Sequence, residues 1–338
     1  MSFALRRSLL VPRSPSGART LAQPHTPGTV RRVSSPTLAD VVSILDGWYP
    51  PSTAESWDSP GTVCGDPHAP VRRVMLAVDV TAAVVDEALD WGADLLFTHH
   101  PLYLRAVHSV AGTTYKGALI HRLIRGGCGL HAAHTNADAA AGGVADALAT
   151  AIGLVDLVPM VPLDPTTGTG RVGRLPVPLR LDQFARQVAA ALPPTEHGVR
   201  VAGAPDGLVA TVAVVGGSGD SLFDDVRAAG ADAYVTADLR HHPASELRER
   251  AAFEAGVSDP DVGTPYLVDV AHSASEWLWL PAAADALARE VDERWPGTRL
   301  GTRVSTLRTD PWTFRVDSPP PPASDSSTPA TDPPGGRP

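Results

Sequence analysis

The sequence predicts an α/β protein of two lobes, each with a mainly parallel or mixed sheet, and a metal site between them. Short apolar runs alternate with helical patterns through two successive series, as in sheets covered by helices. Histidines and carboxylates follow three of the predicted strands, where open α/β sheets gather ligands at their carboxyl ends. At 338 residues and 43% hydrophobic, the chain has material for a sizeable core.

In the first series, RRVMLAVDV (72–80) reads as a buried strand. TAAVVDEALDWG (81–92) reads as a helix opened by Thr81 and closed by Gly92. ADLLFT (93–98) is a strand, YKGALIHRLIRGG (115–127) a helix ending at glycine, CGLHAA (128–133) a strand and AGGVADALATAIG (141–153) a helix. The second series runs LVATVAVVGG (208–217), SLFDDVRAAG (221–230), ADAYVTAD (231–238), SELRERAAFEAG (245–256), TPYLVDVA (264–271) and a long helix over 273–294. Pro281 should start a new helical turn or kink that last helix. Lobe one is placed at about 37–160 and lobe two at about 208–316. Residues 161–207, rich in Pro and Gly, join them around one amphipathic helix, LRLDQFARQVAAAL (179–192).

The ends differ from this core. Residues 1–36 are rich in Arg and Ser with no acid before Asp40, and 317–338 lack apolar residues to bury; both are expected to be disordered and dispensable for folding. The arginine-rich start has the composition of a transit peptide, but a tail or a mis-started segment is the preferred reading. A net charge of −9 disfavours broad binding to nucleic acid or anionic membrane. Cys64 and Cys128 cannot make a disulfide scaffold and suit a reducing, cytoplasmic setting. No apolar run reaches transmembrane length.

The candidate site residues are His99 and His100 after ADLLFT, His134 and Asp138 after CGLHAA, and His272 and Glu276 after TPYLVDVA, of which His99, His100, His272, Asp138 and Glu276 are the candidate metal ligands. Neighbouring residues of a strand point to opposite faces, so His99 and His100 can serve one centre only if Pro101 enforces a turn. His272 and Glu276 share a face if a helix starts near His272. Three imidazoles and two carboxylates exceed a tetrahedral zinc site and suit two divalent cations. The ligand set admits zinc, manganese, iron or nickel. VVGGSGDS (214–221) lacks a nucleotide fingerprint and reads as a tight strand-to-helix turn. The pair His241 and His242 before proline reads as a cleft wall or a helix start.

Together, ADLLFTHHPL (93–102), HAAHTNADAAAGGVADALA (131–149), VAVVGGSGDSL (212–222), ADAYVTADLRHH (231–242) and VDVAHSASE (268–276) resemble the GTP cyclohydrolase type 2 homologue family. This is also called the NGG-interacting-factor-three-like family, and the likeness is to its short form without an inserted middle domain. AESWDSPG (54–61), VMLAVDVT (74–81) and GRVGRLPVPLRLDQFA (170–185) extend the match. The resemblance implies that His100 and Asp138 hold one metal, His99 and His272 the other, and that Glu276 bridges both. It also implies a ring-shaped homohexamer. Two departures stand out: Ala271 replaces a usual glycine, and WDSPG replaces WDN-x-G at 57–61.

The implied activity is metal-dependent hydrolysis of the cyclohydrolase type, opening the imidazole ring of a purine nucleotide. His134 or His242 would act as general acid or base. Alternatives are a two-metal phosphoesterase and a metal-binding regulatory or scaffold protein without turnover. Trp277 and Trp279 are offered as interface aromatics or as core.

Overall fold

Residues 35–317 are described by the structure, a computed structural model. The expected tails lie outside them, except Ser35, Pro36 and Asp317. In chain order the elements are α1 (Leu38–Trp48), β1 (Gly61–Cys64), β2 (Arg73–Ala77), α2 (Ala82–Trp91), β3 (Leu95–Thr98), α3 (Tyr115–Arg125), β4 (Gly129–Ala132), α4 (Thr135–Ala139) and α5 (Val144–Ala151). There follow β5 (Val155–Pro162), β6 (Gly168–Arg180), α6 (Leu181–Ala191), β7 (Arg200–Ala202), β8 (Leu208–Ser218), α7 (Phe223–Ala228) and β9 (Ala233–Ala237). The last are α8 (His241–Glu254), β10 (Tyr266–Val270), α9 (His272–Trp277), α10 (Leu280–Arg294) and β11 (Gly301–Val304).

Strands covered on both faces carry no polar alternation. That is the pattern of β2, β3 and β4, whose residues are almost all buried. They pair in parallel at the centre of a five-stranded sheet ordered β1-β4-β3-β2-β11. Alternate side chains go to opposite faces. Val74, Leu76, Leu95 and Phe97 meet Val41 and Ile44 of α1 and Leu287 and Val291 of α10. Met75, Leu96 and Leu130 meet Val84 and Ala88 of α2 and Leu119 and Leu123 of α3. Each fully buried side chain of this size contributes about 1.5–3 kcal/mol. The Thr81 hydroxyl caps α2 by accepting from the Val84 amide (3.2 Å), and Gly92 closes it at φ 71°.

The second sheet has six strands ordered β5-β6-β8-β9-β10-β7. Its β8-β9-β10 centre is parallel and its other pairings are antiparallel. Among the described residues, no helix is long and apolar enough to cross a membrane.

Three expectations are corrected. Residues 161–207 are not a connector: β6 and β7 lie there, and β5, placed in lobe one, pairs with β6. The glycines and prolines that suggested a loop are absorbed by a register shift between Arg174 and Leu179, where Pro176 and Pro178 need make no ladder bond. Lobe two does not extend to 316, because α10 packs with α1 and β11 joins β2 in the first sheet. Trp279 is an internal residue, edge-on to Tyr49 at 5.1 Å, and offers no interface face, whereas Trp277 is half-buried and donates through Nε1 to the Ser305 carbonyl. The helical pattern over 273–294 divides into α9 and α10, with Pro281 in the first turn of α10.

Candidate metal centre

The first sheet delivers ligands from two adjacent strand ends. Thr98 of β3 pairs with Ala132 of β4, so 99–100 and 133–138 leave the sheet side by side. The His99 and His100 amides still bond to Ala77 and Val78. The Thr98 hydroxyl donates to the His100 carbonyl (3.0 Å), fixing the turn before Pro101. As a result the two rings sit 5.0 Å apart, and each lies within 5.5 Å of His134. From the second sheet, β10 ends at Val270 and α9 starts at His272. Its i,i+4 spacing sets His272 Nε2 3.0 Å from Glu276 Oε1.

Glu276 is the hub. Its Oε1 lies 3.4 Å from His99 Nε2 and 3.0 Å from His272 Nε2, while Oε2 lies 3.0 Å from His100 Nε2. Asp138 Oδ1 is 3.8 Å from His99 Nε2. Each imidazole has an oxygen acceptor beside Nδ1. His99 donates to the Ala133 carbonyl (3.0 Å), His100 to Asp79 (2.7 Å) and His272 to Asp238 (2.7 Å). Asp58 lies 3.1 Å from Nδ1 of His134. A proton held at Nδ1 leaves Nε2 as the electron-pair donor, the tautomer that metal-ligating histidines use.

Three buried atoms of this cluster have no hydrogen-bond partner among the described residues: His99 Nε2, Asp138 Oδ1 and Glu276 Oε2. Most buried polar atoms are paired, so a concentration of orphans marks a missing partner that carries positive charge. Burial pushes the Asp138 carboxyl up to about 6, against the pull of His99. Burial also opposes ionisation of Glu276, but His100 and His99 outweigh it and hold its carboxyl well below the usual range. Burial would lower His272, yet Glu276 raises it to about 9; His100 is raised the same way by Glu276 and Asp79. Glu276 therefore demands cations around it. The donor set fits divalent metal ions, in two overlapping groups: His99, His100 and His134, and His100, His272 and Glu276, with the ligand atoms of each group within 4.8 Å of one another.

All five ligands proposed from the sequence converge here, and His134 joins them as a possible ligand. His242 does not: it is exposed on the first turn of α8, against the His241 ring at 5.2 Å, and belongs to neither group. Sequence reasoning missed the carboxylates behind the ligands, Asp58, Asp79 and Asp238. Asp79 and Asp238 lie just past β2 and β9, a position that could have flagged them. Burial would raise the Asp58 carboxyl, but hydrogen bonds from His134 and Thr135 hold it below its ordinary value. The glycine turn was also underread. Gly217 sits at φ 68°, and a Cβ there would come 2.4 Å from Glu276 Oε1 and 3.0 Å from His272 Nε2. The glycine lets the β8 backbone close one side of the centre. Ala271 has φ −70° and ψ 134°, so its replacement of a glycine introduces no strain.

Two α/β sheets meet at a cluster of imidazoles around a buried glutamate, an α/β fold with side chains that could hold a metal ion. The chain belongs to the Duf34/NIF3 (NGG1p interacting factor 3) family, whose model matches residues 36–311. It is 49% identical over 289 residues to a GTP cyclohydrolase 1 type 2 homolog of Streptomyces coelicolor, covering 84% of this chain and 96% of that one. A homolog of the same name from Mycobacterium tuberculosis is 38% identical, covering 81% and 96%. Among solved structures, a Bacillus cereus protein related to NIF3 superposes with a TM-score of 0.72 at 25% identity, covering 83% of this chain and all of that one (100%). A Staphylococcus aureus hypothetical protein gives 0.71 at 26% identity, with the same coverage.

Proposed function

We propose that the chain is a dinuclear metal-dependent hydrolase of the GTP cyclohydrolase type, opening the imidazole ring of a purine nucleotide. The observation that carries this reading is Glu276, buried, with Oε1 facing His99 and His272 and Oε2 facing His100. That division supports His99 and His272 as ligands of one cation, His100 and Asp138 as ligands of the other, and Glu276 as the bridge. Two divalent cations would supply Lewis-acid activation of water at neutral pH. The protein's own part is to orient and to move protons. Asp79, Asp238 and the Ala133 carbonyl fix the rings. Asp58 steadies His134, the group placed to hand a proton to the nitrogen leaving C8. Trp57, 58% exposed and edge-on to His134 at 5.9 Å, offers a flat apolar rim for a base. Beside His100, a cavity of about 540 Å³ bordered by Tyr115 and Lys116 gives room for the substrate.

The test is metal analysis of purified protein followed by a nucleotide screen read by chromatography. The expected result is close to two divalent ions per chain and a ring-opened product from GTP. Phosphate release with an intact ring would move the reading to a phosphoesterase. Filled metal sites without turnover would favour a regulatory metal-binding protein. The same proposal includes a ring-shaped homohexamer in the cytoplasm, which a monomer by light scattering would refute.

A further inference from the structure

Beyond β11 the chain returns to the metal centre. Past Val304 it still runs beside β2: the Ser305 amide donates to the Leu76 carbonyl (2.8 Å), and Trp277 Nε1 donates to the Ser305 carbonyl (2.8 Å). The Ser305 hydroxyl donates to Glu87 (2.6 Å). Residues 306–308 are then exposed and belong to no strand or helix. A cavity of about 530 Å³ lies between this stretch and Ser273, Ala274 and Trp277 of α9, so little packing supports it from below. The pair of Arg308 with Glu196, at 3.8 Å, is solvent-exposed and holds it weakly. At Thr309 the chain is half-buried again, and the Thr309 hydroxyl donates to Asp79 Oδ2.

Asp79 is the carboxylate behind His100. Its other oxygen, Oδ1, accepts from His100 Nδ1 (2.7 Å). The rings of the cluster are backed unequally. His99 leans on the Ala133 carbonyl, which the backbone itself fixes. Asp58, beside His134, also accepts from the Ser59 amide (2.8 Å) and from the Thr135 amide (3.1 Å) and hydroxyl (2.6 Å). Asp79 accepts from no backbone amide; among the described residues its donors are His100 and Thr309 alone. The Asp79 and His100 side chains are 28% and 22% exposed, so packing does not lock them. One hydroxyl therefore selects the Asp79 rotamer, and Asp79 orients the ring whose Nε2 lies 3.0 Å from Glu276 Oε2.

We propose that Thr309 is a positioning residue of the metal centre: through Asp79 it holds the His100 imidazole in ligating orientation, so the segment beyond β11 sets the affinity for the cation at His100 and Asp138. This inference rests on the two-cation reading of the centre. The outer partner of a ligating histidine typically contributes about 10–100-fold in metal affinity, and Thr309 governs such a partner. The cation at His99 and His272 lies outside its reach, because Ala133 and Asp238 back those rings.

The experiment titrates the full chain with zinc against a chromophoric chelator, which reads each site without any assay of turnover. The parent should bind close to two ions. Thr309→Val keeps the shape and removes the donor; one ion should bind at least about tenfold more weakly and the other within about twofold of the parent. Thr309→Ser, which restores a hydroxyl, should recover most of that loss. Asp79→Ala should weaken the same ion at least as much, and adding Thr309→Val to it should change little, because the two residues act as one unit. Urea melts of the chelated variants should show cooperative unfolding, as expected for a segment outside both cores. The proposal is overturned if Thr309→Val binds both ions as the parent does, if it weakens both equally, if Thr309→Ser is as impaired as Thr309→Val, or if the losses of Asp79→Ala and Thr309→Val multiply. A parent chain that takes up no zinc overturns the two-cation reading and this inference together. A parent holding two ions and indifferent to Thr309→Val overturns this inference alone.

Discussion

Two buried polar clusters draw on neighbouring residues, Asp138 in one and Ala140 and Asp146 in the other, and follow opposite rules. Around Arg171, 1% exposed, every donor is used: two contacts go to both oxygens of Asp146, and others to the carbonyls of Ala140, Gly168 and Gly170. Around Glu276, imidazole nitrogens and carboxylate oxygens face one another at 3.0–3.8 Å, and three atoms remain without a partner. The first cluster is complete within the chain and joins α5 to β6. The second is not complete within the described residues and could hold metal ions. Saturation, more than burial or charge, separates a structural polar cluster from a functional one.

The sharpest way to break this contrast is to remove one side of the saturated pair. Asp146→Ala should cost about 3–5 kcal/mol in a urea melt, because it strands a buried guanidinium. Arg171→Met with Asp146→Leu should recover most of that loss. Next in size, Glu276→Gln should strip most metal from both positions while the chain stays folded, since the amide carries no charge to offset two cations. His99→Ala should empty mainly one position. If Glu276→Gln keeps both ions and His99→Ala loses both, Glu276 is not the bridge. Gly217→Ala should lower metal content and cost about 1 kcal/mol or more in stability, because φ 68° strains alanine and its methyl meets Glu276.

A further effect is a pH dependence confined to chelated protein. His272 is raised to about 9, so its proton binds the folded state more tightly than the unfolded one. The stability this supplies is complete below the unfolded value near 6.5 and disappears as pH rises through about 9. The urea midpoint of chelated protein should therefore fall between about pH 7 and pH 9.5, and metal-loaded protein should not show that fall.

Much of this was legible in the sequence because β2, β3, β8, β9 and β10 are buried on both faces and read as apolar runs. The ligands were legible because they sit directly beyond such runs. What escaped was non-local. Strand β6 hid behind Gly168, Gly170, Gly173, Pro176 and Pro178, which mimic a loop when its partners are unknown. Nothing in GTRV (301–304) announces that it returns to β2. Asp58, Asp79 and Asp238 are ordinary loop acids until the fold brings an imidazole to each.

The return of β11 to the side of β2 bears on how the protein is made. Translation delivers β2 early and its neighbour only after the entire second sheet, so the nascent chain carries an open apolar strand edge for most of its synthesis, the kind of edge that recruits other chains. Glu276 emerges late as well, shortly before that edge is sealed. A ribosome that stalls upstream of α9 releases a product with His99, His100, His134 and Asp138 but neither His272 nor Glu276 to join them. If the cluster holds metal as proposed, metal loading would be a readout of finished synthesis, because the site is assembled only in a chain translated nearly to its last strand.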